Sequence, residues 1–124
     1  MAKQEEIQTI QINGVEYVKK QDVKQLATPI DGMPYVVVRT EKAGCFAAYL
    51  KRKEGQEAEL VRARRLWYWN GAASLSQLAV DGVSKPNDCK FPCECDLTVN
   101  GVIEVITTTK NAQDSIQAVK VWKK

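Results

Sequence analysis

Apolar and polar positions alternate along much of this chain, and glycine or proline stands at most of the places where the alternation stops. Ile10 and Ile12 alternate with polar neighbours, Asn13-Gly14 supplies a tight turn, and Val15 and Tyr17 resume the pattern, so residues 7–18 predict a β-hairpin. Asp22 stands where it can cap a short helix over 23–27, which has to stop ahead of Pro29. Residues 28–32 carry Pro, Asp and Gly and read as a linker. Residues 1–32 are thus expected to form an appendage too short for a core of its own, and residues 33–124 the main domain.

The β-branched run over 35–40 predicts a buried strand, and residues 45–53 a second one. Glu54-Gly55 reads as a hairpin turn, followed by a third strand over 59–69 that Asn70-Gly71 breaks. Ser74 caps a short helix over 75–80, which ends at Gly82. The polar stretch 83–92 holds two prolines and predicts a loop, suited to be a lid or pocket wall. Strands around 95–99 and 102–108 flank Asn100-Gly101, a helix over 112–119 follows with Asn111 as its cap, and Trp122 is expected to anchor the end on the core. The fold class implied is α+β: a small domain with a mostly antiparallel sheet, a short central helix and a C-terminal helix, plus the N-terminal hairpin-helix appendage.

A chain of 124 residues buries enough surface to fold without a disulfide or metal. The longest apolar runs are far too short to cross a bilayer, and the polar opening has no apolar stretch behind it. The expected location is therefore cytoplasmic, with Cys45, Cys89, Cys93 and Cys95 as free thiols. Cys93 and Cys95 are spaced too closely for the usual zinc pair, and no histidine is present to complete a mixed site, so no metal is expected.

The absence of histidine also removes the commonest general base and the triads built on it. No phosphate-binding glycine loop or dinucleotide fingerprint occurs, and neither an enzyme activity nor a cofactor is expected. The net charge of +3 is too mild to select a partner, but its distribution is informative. All five arginines, Arg39, Arg52, Arg62, Arg64 and Arg65, fall in one central stretch, and arginine suits two-point contact with phosphate.

On a strand reaching residue 69, Arg65, Trp67 and Trp69 would share one face and Arg64, Leu66 and Tyr68 the other. Rings beside a guanidinium suit a ligand with a flat base and a phosphate. Equally, the tryptophans can be core and the arginines can cover their edges. The small residues ahead of Ser74 and Leu75 leave backbone N–H groups open for an anion. In the loop, Lys90 is cationic, Asn87 can read a base or ribose edge, and Phe91 can close over a ring or simply anchor the loop. Thr109, beside Lys110 at a strand end, can meet a phosphate or can be an ordinary strand residue.

The run Arg64-Arg65-Leu66-Trp67-Tyr68-Trp69-Asn70-Gly71-Ala72-Ala73-Ser74-Leu75-Ser76-Gln77-Leu78-Ala79, with Gly82 and residues 86–90, resembles the phage Thoeris anti-defence sponge family. So do Tyr35-Val36-Val37-Val38-Arg39-Thr40 with Ala43-Gly44, and Val102-Ile103-Glu104-Val105-Ile106 with the helix over 112–116. The resemblance spans about residues 33–122. It implies a protein that captures a cyclic ADP-ribose isomer (glycocyclic ADP-ribose) made by a TIR-domain enzyme in the bacterial host, leaves it uncleaved, and so silences Thoeris signalling. It also implies a homodimer or larger homo-oligomer, and in some members binding of cyclic oligonucleotides. The ligand-binding set expected on this reading is Arg39, Arg64, Arg65, Trp67, Trp69, Ser74, Leu75, Asn87, Lys90, Phe91 and Thr109. The competing expectation is a small nucleic-acid-binding or structural accessory protein.

Overall fold

The computed structural model describes residues 25–123. Five strands form one antiparallel sheet: β1 (Tyr35–Thr40), β2 (Cys45–Glu54), β3 (Glu57–Arg65), β4 (Cys95–Val99) and β5 (Val102–Thr107), in the order β4-β3-β2-β1-β5. Among the described residues two helices, α1 (Leu75–Asp81) and α2 (Lys110–Ala118), complete the α+β domain, with a 3-10 turn at Pro86–Asp88. Among the described residues no helix is long and apolar enough to cross a membrane.

The interior strand β1 is buried on both sides, Arg39 excepted, because it packs into two separate apolar clusters. Tyr35 and Val37 face the helices, together with Ala47, Tyr49, Leu66, Leu78, Phe91 and Ile116. Val36 and Val38 point the other way, with Phe46, Ala48, Leu60, Ala63, Val99 and Val102. No helix belongs to the second cluster, and the connectivity explains how it is buried. β4 and β5 pair with opposite edges of the meander, yet only Asn100-Gly101 separates them. Four interstrand steps in a flat sheet span about 19 Å, whereas the three Cα steps from Val99 to Val102 reach at most about 11 Å. The sheet must therefore curl, and the second cluster fills the inside of the curl. Val102 N–H donates to Gln56 O (2.9 Å) and Glu41 N–H to Gly101 O (2.8 Å), which fastens the closing turn across the mouth.

One irregularity sets which side chains point inward. Between the pairs Tyr49↔Val61 and Ala47↔Arg64 the third strand carries one extra residue, and Arg62 there has a positive φ of 53°. This β-bulge flips the alternation. Leu60 and Ala63, three residues apart, consequently both enter the curl, and Arg65 follows on that side while Arg64 turns to the helices.

Four expectations need correction. The third strand starts at Glu57 and stops at Arg65, not at residue 69, because β2 begins at Cys45. Arg65 pairs with Phe46, Leu66 N–H takes the Cys45 carbonyl, and no partner strand remains for residues 67–69. The second correction concerns the helix expected over 23–27, of which residues 25–27 are described and are not helical. Leu26 bridges Thr109 instead, and Ala27 N–H donates to Thr108 O, because backbone groups at the end of β5 are open there. The Gln113 side chain then holds both backbone groups of Thr28 (2.8 and 2.9 Å), so the described part of the appendage is stitched onto α2. Third, α2 begins at Lys110 with Thr109 as its cap, earlier than Asn111. Fourth, Trp122 is only partly buried and lies outside the core clusters. The hairpin expected over 7–18 lies outside the described residues.

Candidate functional site

Following each arginine to its partner separates structural charge from available charge. Arg39 on β1 pairs across the strand with Glu104 on β5 (2.7 Å), whose carboxylate holds the guanidinium above its ordinary range. Arg52 faces Glu54, Glu57 and Glu59 (3.1, 3.3 and 2.7 Å), and Arg62 meets Glu94 (3.1 Å). Arg64 has no carboxylate. It is 3% exposed and donates to four carbonyls, those of Pro92, Ile116, Phe91 and Lys120 (3.1, 2.8, 2.7 and 3.3 Å). Burial pulls its pKa down, but five N–H donors in a fixed fork suit a guanidinium to such a nest of oxygens.

Arg65 is different. Its guanidinium carbon lies 4.5 Å from the centroid of the Phe46 ring, and one nitrogen donates to the Ala43 carbonyl. Among the described residues it is the one arginine with neither a carboxylate nor a full set of carbonyls. It lines a cavity of about 600 Å³ at the mouth of the curl, between the β1–β2 loop and the end of β4. Lys42, Ala43 and Phe46 form one wall with Arg65, and Leu97, Thr98, Asn100 and Gly101 form the other. Glu41 is the one carboxylate in the lining.

The walls are fixed by local bonding. Thr40 Oγ1 donates to Gly44 O and accepts from Ala43 N–H, both at 2.8 Å, which closes the loop and aims the Ala43 carbonyl at Arg65. Gly44 sits at φ 97°, where a side chain would be strained, and its would-be Cβ stands 3.5 Å from the Arg65 Nη1. The site thus offers two cations, one of them backed by the buried Phe46 ring, together with the Glu41 carboxylate, hydroxyl and amide groups, and apolar edges. Roughly 300–1,000 Å³ is the usual size of a small-molecule pocket, so the volume suits a nucleotide-sized guest.

Of the residues expected to bind a ligand, the structure brings Arg65 alone to this cavity. The shared face of Arg65, Trp67 and Trp69 does not form: Trp67 is 65% exposed, and Trp69 packs on the helix-side cluster across the sheet from Arg65. Phe91 is fully buried, as the anchor of its loop. Ser74 Oγ accepts from Gln77 N–H (3.1 Å) and Gln77 Oε1 from Ala73 N–H (2.7 Å), so the start of α1 is capped by its own side chains rather than left open. Leu75 packs against the helix-side core. Thr109 is buried and caps α2, accepting from Ala112 N–H (3.1 Å) and donating to the Val80 carbonyl. Asn87 is exposed in the 3-10 turn, and Lys90 lies over the rings of Tyr68 and Trp122. Lys42, Phe46, Thr98 and Asn100 were not anticipated. Their only sequence signal is position beside the two glycine turns, at Gly44 and Gly101.

No group of three or more metal-ligating side chains gathers among the described residues. Cys93 and Cys95 are exposed, Cys89 is buried, and burial pushes the Cys45 thiol up. The model of the family described as Domain of unknown function (DUF6948) matches residues 33–116, and the chain belongs to that family. No curated protein and no solved structure matches.

Proposed function

We propose that this member of the DUF6948 family binds a small phosphorylated messenger with a flat base, of the cyclic ADP-ribose type, in the cavity beside Arg65 and holds it uncleaved. One observation carries the reading: a guanidinium rests on an aromatic ring at a cavity wall, with no carboxylate paired to it. A phosphate oxygen is a natural acceptor for its remaining donors, with Lys42 as a second cation. Thr98 and Asn100 can reach ribose hydroxyls, while Leu97 and the plane of the Arg65 guanidinium receive a base; Phe46 is fully buried and backs that guanidinium from beneath. Retention rather than turnover is the proposed outcome, as the resemblance to the sponge family implies.

With the resemblance to the Thoeris anti-defence sponges, this becomes sequestration of a TIR-made cyclic ADP-ribose isomer in the cytoplasm of a bacterial host. The protein then acts as a homodimer or larger homo-oligomer. Cyclic oligonucleotides present the same chemistry and form the second ligand class to titrate. Calorimetry with a cyclic ADP-ribose isomer, followed by heat release and chromatography of the ligand, tests both halves. Saturable binding with intact ligand recovered is expected; no binding at micromolar protein, or recovery of a cleaved ligand, rejects the proposal.

A further inference from the structure

Past the end of β3 the chain builds a second feature that the cavity does not use. Tyr68 and Lys90 exchange backbone hydrogen bonds (3.4 and 2.7 Å) in an antiparallel bridge. Phe91 bridges Val121 in parallel, and Trp122 N–H donates to Phe91 O (3.0 Å). Three segments, 67–69, 90–91 and 121–122, thus lie side by side as a small ribbon. Phe91 turns into the core, so its neighbour Lys90 turns outward. There the Lys90 Nζ stands 5.8 Å from the Tyr68 ring centroid and 5.6 Å from that of Trp122. Tyr68 is 49% exposed and its neighbour Trp67 is 65% exposed. An ammonium between one exposed ring, Tyr68, and one partly buried ring, Trp122, is the result.

Within the ribbon segments the charge has one sign. Residues 66–70, 89–92 and 119–123 hold Lys90, Lys120 and Lys123 and no Asp or Glu, in a chain with 15 acidic residues. Of the acids next in sequence, Asp88 is exposed in the 3-10 turn just ahead of Cys89, and Glu94 is taken by Arg62. The backing is rigid: Arg64 grips the Phe91, Pro92 and Lys120 carbonyls from inside, tying two of the three segments to the sheet.

We infer that this ribbon is a binding surface for single-stranded nucleic acid, with bases stacking on Tyr68 and Trp122 and the phosphate between them meeting Lys90. Alternating rings and cations match the alternation of base and phosphate along a strand, and such stacking is tolerant of sequence. The inference is independent of the cavity.

Titration of the full chain's tryptophan emission with an oligothymidylate of about ten nucleotides at low salt tests it. Saturable quenching is expected, with log affinity falling against log salt at a slope of about −2 if the three lysines each meet a phosphate. Tyr68→Ala should weaken binding about fivefold or more, and Lys90→Gln should reduce the slope by about 0.7. Both side chains are on the surface, and an unchanged circular dichroism spectrum establishes that the variants are folded. Arg65→Ala should leave the quenching in place. Absence of quenching at low salt overturns the inference. So does equal affinity for an abasic deoxyribose-phosphate oligomer, because stacking then contributes nothing.

Discussion

Arg64 and Arg65 are adjacent in the chain and chemically identical, yet one is structure and the other is available chemistry. Arg64 enters the helix side, where four carbonyls from the 91–92 turn, the end of α2 and the C-terminal segment close around it. Arg65 enters the curl, where it finds a ring and a single carbonyl at the edge of a cavity. The bulge at Arg62 decides which goes where, since one residue more or fewer would exchange their faces. The lesson is that a cluster of arginines is not a site until each guanidinium has been followed to its partners.

The largest effect should come from the helix side. Arg64→Ala leaves several buried carbonyls without donors and should cost on the order of 3–5 kcal/mol in urea unfolding. Arg64→Lys should recover only part of that, because an ammonium lacks the planar fork. Full recovery by lysine would mean that charge, not geometry, holds the segment. Arg65→Ala reverses the pattern: stability should fall by about 1 kcal/mol or less, while messenger affinity drops by roughly 1.5–3 kcal/mol in calorimetry. Unchanged affinity in a folded variant would remove Arg65 from the site.

Tyr35 sharpens the contrast, because it reports how dry the helix side is. Burial raises its pKa well above the ordinary value, outweighing the lowering influence of the nearby Arg64. The folded state therefore keeps its proton where the unfolded chain has lost it, and the stability held below pH of about 10 is lost as pH rises beyond that. Tyr35→Phe should flatten this alkaline decline by about 1 kcal/mol per pH unit, read from urea melts between pH 9 and 11. A variant declining as steeply as the parent would place the decline elsewhere. The smallest effect is expected at Trp67. Its side chain is mostly in solvent, so Trp67→Ala should change stability by no more than about 0.5 kcal/mol. A core-sized loss would contradict the end of β3 at Arg65.

Much of the fold was legible. The β-branched run of β1, the glycine turns at Gly55 and Gly101, and the Ser74 cap all carry local physics that survives folding. The end of β3 was not, because Trp67, Tyr68 and Trp69 have high strand propensity and the limit was set by where β2 begins. Nor was the cavity. It depends on the sheet curling to join β4 to β5, and Phe46 and Asn100 meet across it only through that closure. Tertiary contact also decided the roles of Phe91 and Thr109: each has a side chain fit for a ligand and spends it on the core or on a helix cap.

Backbone amide NMR of the full chain, titrated with a cyclic ADP-ribose isomer, tests the cavity most directly. Shifts should concentrate at residues 41–46, at Arg65 and at 97–101, and disappear in Arg65→Ala. A titration that moves none of these amides, or moves only those of the ribbon at 67–69, 90–91 and 121–122, contradicts the assignment.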